Sequence, residues 1–320
     1  LNTTPYADLS PDMILNAVES TGYVCTGALT ALNSYENRVY QVGIEGASPL
    51  VAKFYRPNRW TDAAIIEEHE FAQELFDLEI PVVAPIAANG CTLHEYEGFR
   101  FAVFPRKGGR ALEVDDMMQL EQVGRFIGRI HAVGRSREFK HRIHINVETY
   151  GVQPYQFLLQ NNFIPEELRH NFCAVTDNIL ELLRERFDQE DDLPAIRLHG
   201  DFHAGNILWN DGVLHIVDLD DCLMGPAVQD IWMLLSGSEN DVKLQLQHIL
   251  TGYEEFNDFN MRELHLIESL RTLRMIHYAG WLARRWEDPA FPASFPWFNT
   301  PKYWQQQLGV LREQEELLGL

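Results

Sequence analysis

Cysteine is scarce in this chain. Four in 320 residues (Cys25, Cys91, Cys173 and Cys222) are scattered, with no CxxC pair and no His or Cys partner at zinc spacing. That argues against a disulfide framework or a zinc module and for a reducing compartment, the cytoplasm. Positive charge is short as well: 26 Lys and Arg stand against 47 Asp and Glu, a formal net charge of −21. A surface of that sign does not suit nucleic acid or anionic lipid, so neither partner is expected. No stretch reaches the roughly 18 apolar residues of a spanning helix, and the opening LNTTPYADLSPD has no basic and apolar leader pattern. GxxxxGK[ST] and GxGxxG are both missing, which closes the P-loop reading. What remains is a chain with 46% apolar residues, long enough to bury a substantial core in two lobes.

The most informative stretch is Leu198 to Asp221, LHGDFHAGNILWNDGVLHIVDLDD. Asn210-Asp211-Gly212 is a tight-turn signal between the β-rich runs 207–209 and 213–217. A hairpin there brings Asn206 and Asp218 to one open end, with Asp201 on the loop that enters it. Protein kinases use the same order: an Asp that accepts the acceptor's hydroxyl proton, an Asn five residues on that holds Mg²⁺, and an Asp after the next hairpin that binds the metal bridging the ATP phosphates. One carboxylate and one amide oxygen suit a hard cation and leave room for phosphate and water. Two other readings exist. The segment could be a capped hairpin with a solvated acidic turn, or His199-x-Asp201-x-His203 could hold a transition metal in a hydrolase. The run of small residues Gly200, Ala204 and Gly205 argues for a loop and against a strand presenting three ligands.

His-Gly-Asp-x-His-x-x-Asn followed by a hairpin and an Asp resembles the pattern of the aminoglycoside phosphotransferase and choline kinase superfamily, a branch of the protein-kinase-like fold. The stretches Leu32 to Tyr40, Val51 to Pro57 and Gly225 to Asp230 look like a bacterial Ser/Thr protein kinase of that branch. The likeness runs from about Leu32 to Glu255. It implies an α+β, bilobal, protein-kinase-like fold: a small β-rich N-lobe with one helix over residues 1–105, and a larger, mostly helical C-lobe over 106–320. It also implies that Ser34, Glu36 and Asn37 belong to the loop covering the ATP phosphates. His199 would brace the catalytic loop, and Asp230 would accept hydrogen bonds from its backbone. His203 is assigned no chemistry.

Other positions can be read for themselves. Pro11 to Ser20 reads as a short helix capped by Ser10, the only element expected in residues 1–30. Lys53 is the lone charge in the apolar strand run Leu50 to Tyr55, costly unless paired, and kinase-like folds use this lysine on the α/β-phosphates. A helix over about 62–76 places Glu68 on one face with Phe71 and Leu75, which makes it the partner of Lys53 and leaves Glu67 and Glu70 in solvent. Strands are expected at about 92–96 and 99–104, after which Phe104 to Arg110 reads as the hinge. The likeness to kinase-like folds implies that this hinge meets adenine, through the Phe104 carbonyl and the Arg106 N–H, since Pro105 has no N–H. Met117 to Val133 carries an apolar stripe at helical spacing whose Met and Phe residues read as core, and 134–160 reads as an irregular surface excursion. Helices are expected over 165–187, from Gly225-Pro226 to about 235, over 242–256, 261–286 and 303–318. The aromatic, Pro-broken segment 281–304 could form a cage for a quaternary ammonium, but packing is the commoner use of such residues.

Together these observations imply ATP- and Mg²⁺-dependent phosphoryl transfer to a hydroxyl, and the resemblance implies that the acceptor is a Ser or Thr of a protein. Asp201 and Asp218 would carry the chemistry, Asn206 and Asp218 the metal, and Lys53 and Glu68 the nucleotide. The resemblance also implies a stress-response setting, with autophosphorylation an option. Asp218, Asp220 and Asp221 should repel one another until a bound cation neutralises them. The alternatives are a small-molecule kinase for a cationic alcohol of the choline or aminoglycoside type, and a catalytically silent nucleotide-binding scaffold.

Overall fold

In the computed structural model, which describes residues 5–190, 192–210 and 212–319, the N-terminal region is a five-stranded antiparallel sheet with one helix before it in the chain and another between its third and fourth strands. Helix α1 (Pro11–Glu19) starts where Ser10 Oγ accepts from the Met13 N–H. Strands β1 (Cys25–Ala31), β2 (Arg38–Ile44) and β3 (Leu50–Phe54) form a meander. Helix α2 (Asp62–Asp77), capped by Thr61, then precedes β4 (His94–Tyr96) and β5 (Phe99–Pro105). The order β1-β2-β3-β5-β4 puts β3 in the centre, where Lys53 lies opposite Val39 on one side and Ala102 on the other. Helix α1 covers one face through Ile14, Ala17 and Val18, which share a core with Val42, Ile44, Phe54 and Phe101.

The rest is mainly helical, with β6 (Arg110–Ala111) leading to α3 (Met117–Gly134), α4 (Gln153–Gln160) and α5 (Glu166–Gln189). Strand β7 (Ile196–Leu198) leads into the His199 to Asn206 loop, followed by β8 (Ile207–Asn210), β9 (Val213–Ile216) and β10 (Leu223–Gly225). Helices α6 (Gln229–Trp232), α7 (Glu239–Tyr253), α8 (Ile267–Arg284), α9 (Ala290–Ser294) and α10 (Pro301–Gly319) complete the chain. The hairpin pairs Asn210 with Val213, and Gly212 takes φ +82°, while Asp211 of the expected turn lies outside the described residues. The larger core also takes in Phe71, Leu75 and Val82, so α2 and the connector after it pack on the helical lobe as well. Among the described residues no helix is long and apolar enough to cross a membrane.

Several expectations are corrected. Strand β1 was not anticipated, because Cys25–Ala31 is a small-residue, Thr-rich, mostly exposed edge without clear alternation. Residues 134–160 are no surface excursion: a π-helical turn, Val147–Val152, capped by Asn146, runs into α4 and buries Val147 and Tyr150. The wider turn shifts the side-chain period, which hides it from a search at helical spacing. The helix expected from Gly225-Pro226 is a single turn, and Met261–Leu266 is a separate 3₁₀ segment ahead of α8. Met118 is 84% exposed, not core, and Glu67 is not merely solvated, since it accepts from the Lys140 and His141 N–H groups. The aromatic segment packs: Phe291, Phe298 and Trp304 are buried, each with aromatic neighbours.

Candidate active site

The catalytic segment is shaped by its own backbone. Between His199 and Asp201 the chain turns through Gly200 at φ +85°, where a Cβ would strike the Asp221 carbonyl. Only glycine fits that approach. The turn is held from below by Asp230, whose fully buried carboxylate accepts from His199 N–H (2.9 Å) and Gly200 N–H (2.8 Å) and meets His131 Nε2 at 3.2 Å. Gln229 Nε2 donates to the Gly200 carbonyl. Asp230 thus has the donors that a buried carboxylate requires. His199 Nε2 lies 2.9 Å from the Val217 carbonyl and so fastens the loop to the open end of the hairpin, where the second strand leaves it. His203 instead turns its Nδ1 to the Gly205 N–H, so the two imidazoles do not present a shared metal face.

The hairpin register places Asn206 opposite Val217, one residue short of Asp218, through the Val217 N–H to Asn206 carbonyl bond. Asn206 Nδ2 donates to the Asp201 carbonyl at 2.9 Å, which leaves the amide oxygen for another partner. Asp218 takes the left-handed conformation, φ +64°, and its side chain is 54% exposed, open to solvent on one side. The Asp201 carboxylate meets Arg274 of α8 at 2.8 Å and His203 Nε2 at 3.4 Å. Burial alone would raise its pKa, but the His203 and Arg274 contacts outweigh that and hold it well below the usual carboxylate range. A carboxylate so held stays ionised, and the same two contacts weaken it as a base for as long as they persist.

Lys53 lies 3.3 Å from Glu68, 3.0 Å from Asp220 and 3.2 Å from Asp218, joining β3, α2 and the acidic exit of the hairpin. Burial pushes its pKa down, yet Asp220, Glu68 and Asp218 more than reverse this and keep the ammonium charged. Arg142 grips Glu68 from the other side at 2.9 Å. It also donates to the Ala64 and Asp220 carbonyls and stacks over Trp60 at 4.3 Å. Arg59 pairs with Asp220 and Asp221. The expected mutual repulsion of Asp218, Asp220 and Asp221 is relieved only in part. Burial at Asp220 is outweighed by Arg59, Lys53 and Arg142, which hold it below the usual carboxylate range, whereas burial, with Asp220, Asp201 and Asp218 beside it, pushes Asp221 up to about 6 despite Arg59. Asn206, half-buried, and Asp218, exposed, would offer oxygen donors, a set that fits a hard divalent cation better than a soft one.

Glu36 lies in the loop between β1 and β2, as expected, and its side chain has a further role. Its carboxylate does not face the Lys53 cleft but meets Arg56 at 3.0 Å, Trp281 Nε1 at 2.7 Å and Arg285 at 2.6 Å. The Glu36 side chain thus ties the Ser34 to Asn37 loop to α8, while its backbone stays in that loop. Asn37 Oδ1 accepts from the Arg56 N–H at 3.1 Å, anchoring the same loop, and Ser34 stays half-buried beside it. Phe104 lies opposite Val51 at the end of β5, and the Arg106 side chain folds back onto Gln41 Oε1. Arg59, Arg142 and Arg274 were missed by the sequence reading. The surplus of carboxylates was the only signal for them, and it does not say which arginine answers.

With this geometry in view, the comparisons with known proteins are direct. Residues 28–267 match the model of the phosphotransferase enzyme family. Stress response kinase A of Escherichia coli (strain K12) is 46% identical over 313 residues, 98% of this chain and 94% of that protein. The protein named serine/threonine protein kinase RdoA in Salmonella typhimurium (strain LT2) is 45% identical over 99% of this chain and 96% of its own length. Among solved structures, amicoumacin kinase hAmiN in complex with AMP-PNP, Ca²⁺ and Ami superposes with a TM-score of 0.69 at 20% identity, covering 90% of this chain and 87% of that one. A microcompartment-associated aminopropanol kinase gives 0.68 at 17% identity over 95% of both chains. These structural likenesses speak for the fold, and the sequence matches carry the assignment: the chain belongs to the phosphotransferase enzyme family and is a kinase.

Proposed function

We propose that this kinase is an ATP- and Mg²⁺-dependent Ser/Thr protein kinase. Residues 1–105 would form its nucleotide-binding lobe and 106–320 its catalytic and acceptor lobe. The observation that carries the reading is the ionic line from Glu68 through Lys53 to Asp218, which sets a charged lysine beside the open end of the hairpin where Asp201 and Asn206 also lie. Asp201 orients the acceptor hydroxyl and takes its proton as the oxygen attacks the γ-phosphorus. The new oxygen–phosphorus bond forms as the bond to the β-phosphate oxygen breaks, releasing ADP. Lys53, held by Glu68, stabilises negative charge on the α/β-phosphates. Ser34 and Asn37 belong to the loop over the phosphates, while the Phe104 carbonyl and Arg106 N–H face adenine. Asn206 and Asp218 would hold Mg²⁺, which when bound neutralises phosphate charge. His199 and Asp230 keep the loop in shape.

The names of relatives at 45–46% identity support a protein acceptor and a stress-response role, with autophosphorylation as one form of the same transfer. A cytoplasmic setting agrees with the ATP requirement. Asp201→Asn keeps the shape and removes the base, and should lower turnover about 10²–10⁴-fold with little change in nucleotide affinity. Label from γ-phosphate ATP should enter protein. Label entering only aminopropanol, choline or an aminoglycoside would establish the small-molecule alternative instead. Full turnover by Asp201→Asn at saturating Mg²⁺ would remove Asp201 from the chemistry.

A further inference from the structure

A cavity of about 400 Å³ opens between α8 and the Arg56 to Trp60 turn. Its lining includes Arg56, Arg59, Arg284, Arg285, His277 and a single carboxylate, Asp221. Four guanidiniums around one cavity stand out in a chain of net charge −21. Three of the four are partnered: Arg56 and Arg285 by Glu36, and Arg59 by Asp220 and Asp221. Arg284 has no carboxylate within 4.0 Å among the described residues, and its guanidinium rests over the Phe157 ring at 5.4 Å. His277 supplies a second, independent sign. Its ring stacks on Tyr150 at 4.0 Å, and its buried Nδ1 has no hydrogen-bond partner among the described residues. Burial holds this imidazole neutral, with its pKa pushed down to about 3, so it can donate one hydrogen bond without adding charge.

The cavity is tied to the reacting centre by one helix. Arg274 of α8 contacts Asp201, while His277, Trp281 and Arg284 follow at one-face spacing. Ten residues of helix from Arg274 to Arg284 rise about 15 Å, a distance that four or five residues of extended peptide span. We infer that this cavity takes an anionic side chain of the acceptor protein, a carboxylate or a phosphoryl group four or five residues from the hydroxyl that is phosphorylated. Guanidinium forks match the oxygens of both groups, whereas a cationic alcohol would be repelled by Arg284, the one guanidinium here with no carboxylate partner among the described residues. The protein's net charge repels an acidic segment at long range, so the discrimination resides in the contact itself. The inference rests on the protein-kinase reading and adds the class of sequence that the enzyme accepts.

The test uses the full chain, γ-labelled ATP and four Ser peptides that differ only at the position four or five residues from the acceptor: Glu, phosphoserine, Gln or Lys. The wild type should use the Glu and phosphoserine peptides at least about 10-fold better than the Gln peptide, mainly through KM, as expected for one charge-assisted site. The better of the two identifies the anion. Arg284→Glu should abolish that preference and favour the Lys peptide, Arg284→Gln should abolish it without inversion, and KM for ATP should stay unchanged in both. Trp281 lines the cavity, so its fluorescence gives a readout without turnover: the phosphoserine peptide should perturb it in the wild type and not in Arg284→Glu. Equal use of all four peptides, a preference that survives Arg284→Glu, or a shift in ATP KM alone would overturn the inference while leaving a protein kinase. Label in small alcohols and in no peptide would overturn both.

Discussion

His69 follows Glu68 on α2 and is 2% exposed, with Nε2 2.7 Å from the Tyr55 hydroxyl and Nδ1 2.9 Å from Thr92 Oγ1. Burial pushes its pKa down to about 3, and the nearby Lys53 and Arg142 charges push the same way. In the unfolded chain the ring titrates near its ordinary value, about 6.5. Below that pH the unfolded state takes up a proton that the folded state refuses, so stability falls as pH drops from 7 toward 3. At pH 5.5 the loss from this group is about 1–1.5 kcal/mol. Urea unfolding of the wild type and of His69→Gln at pH 7 and 5.5 measures it: the variant should lose less stability over that interval by about this amount. Identical losses in the two proteins would show that His69 is protonated in the fold. The same neighbourhood shows why a lone charge in an apolar strand is informative. Lys53 is buried at no net penalty to its charge because three carboxylates surround it.

Helices α3 and α7 approach closely enough that glycine is required at the crossing. A Cβ on Gly124 would strike the Ile249 carbonyl, one on Gly128 the Tyr253 carbonyl, and one on Gly252 the Glu121 carbonyl. The approach has a purpose beyond packing, because His131 of α3 contacts both Asp230 and the Tyr253 hydroxyl and so fixes the support beneath the catalytic loop. Gly252→Ala should destabilise the protein by about 2–3 kcal/mol or more, since backbone must move to make room. Gly309→Ala in α10, with nothing within 4 Å of the added methyl, should stabilise by about 0.5–1 kcal/mol. Denaturant midpoints of the two variants give both signs, and equal effects would refute the account of the crossing. Elements of this kind were legible in proportion to how local their signal is. The hairpin was readable from Asn210 and Gly212 between two β-rich runs, and α2 from Thr61 and the spacing of Glu68, Phe71 and Leu75. Arg142, Arg59 and Arg274 were not, since they meet their carboxylates across 74, 161 and 73 residues of chain, where no periodicity reaches. The π-turn at Val147–Val152 was hidden for the opposite reason, because its local period is neither that of a helix nor of a strand.

At the level of the whole molecule, Glu36 is where the two lobes are fastened. It belongs to the loop between β1 and β2, yet its carboxylate accepts from Trp281 Nε1 and pairs with Arg285, beyond more than two hundred residues of intervening chain, while Arg56 joins it from the N-terminal side. Arg56 reaches across as well, to Asp288 at 2.6 Å, and Tyr35 packs on Phe295 at 4.8 Å between ring centres. The loop proposed to cover the phosphates is therefore held by the same aromatic segment that packs on the helical lobe, so closure and C-terminal packing are coupled. Removing the Glu36 charge leaves Arg285 without its carboxylate, while Arg56 keeps Asp288, so the cost falls below the ~3–5 kcal/mol of a buried pair broken from one side. Glu36→Gln should lower stability by part of that amount, and Trp281→Phe by less. In a double-mutant cycle the two should couple by about 1 kcal/mol or more, as contacting residues do. Additive effects within about 0.5 kcal/mol would mean that the loop and α8 do not sense one another, and the lobes would then be joined through the hinge and the α2 packing alone.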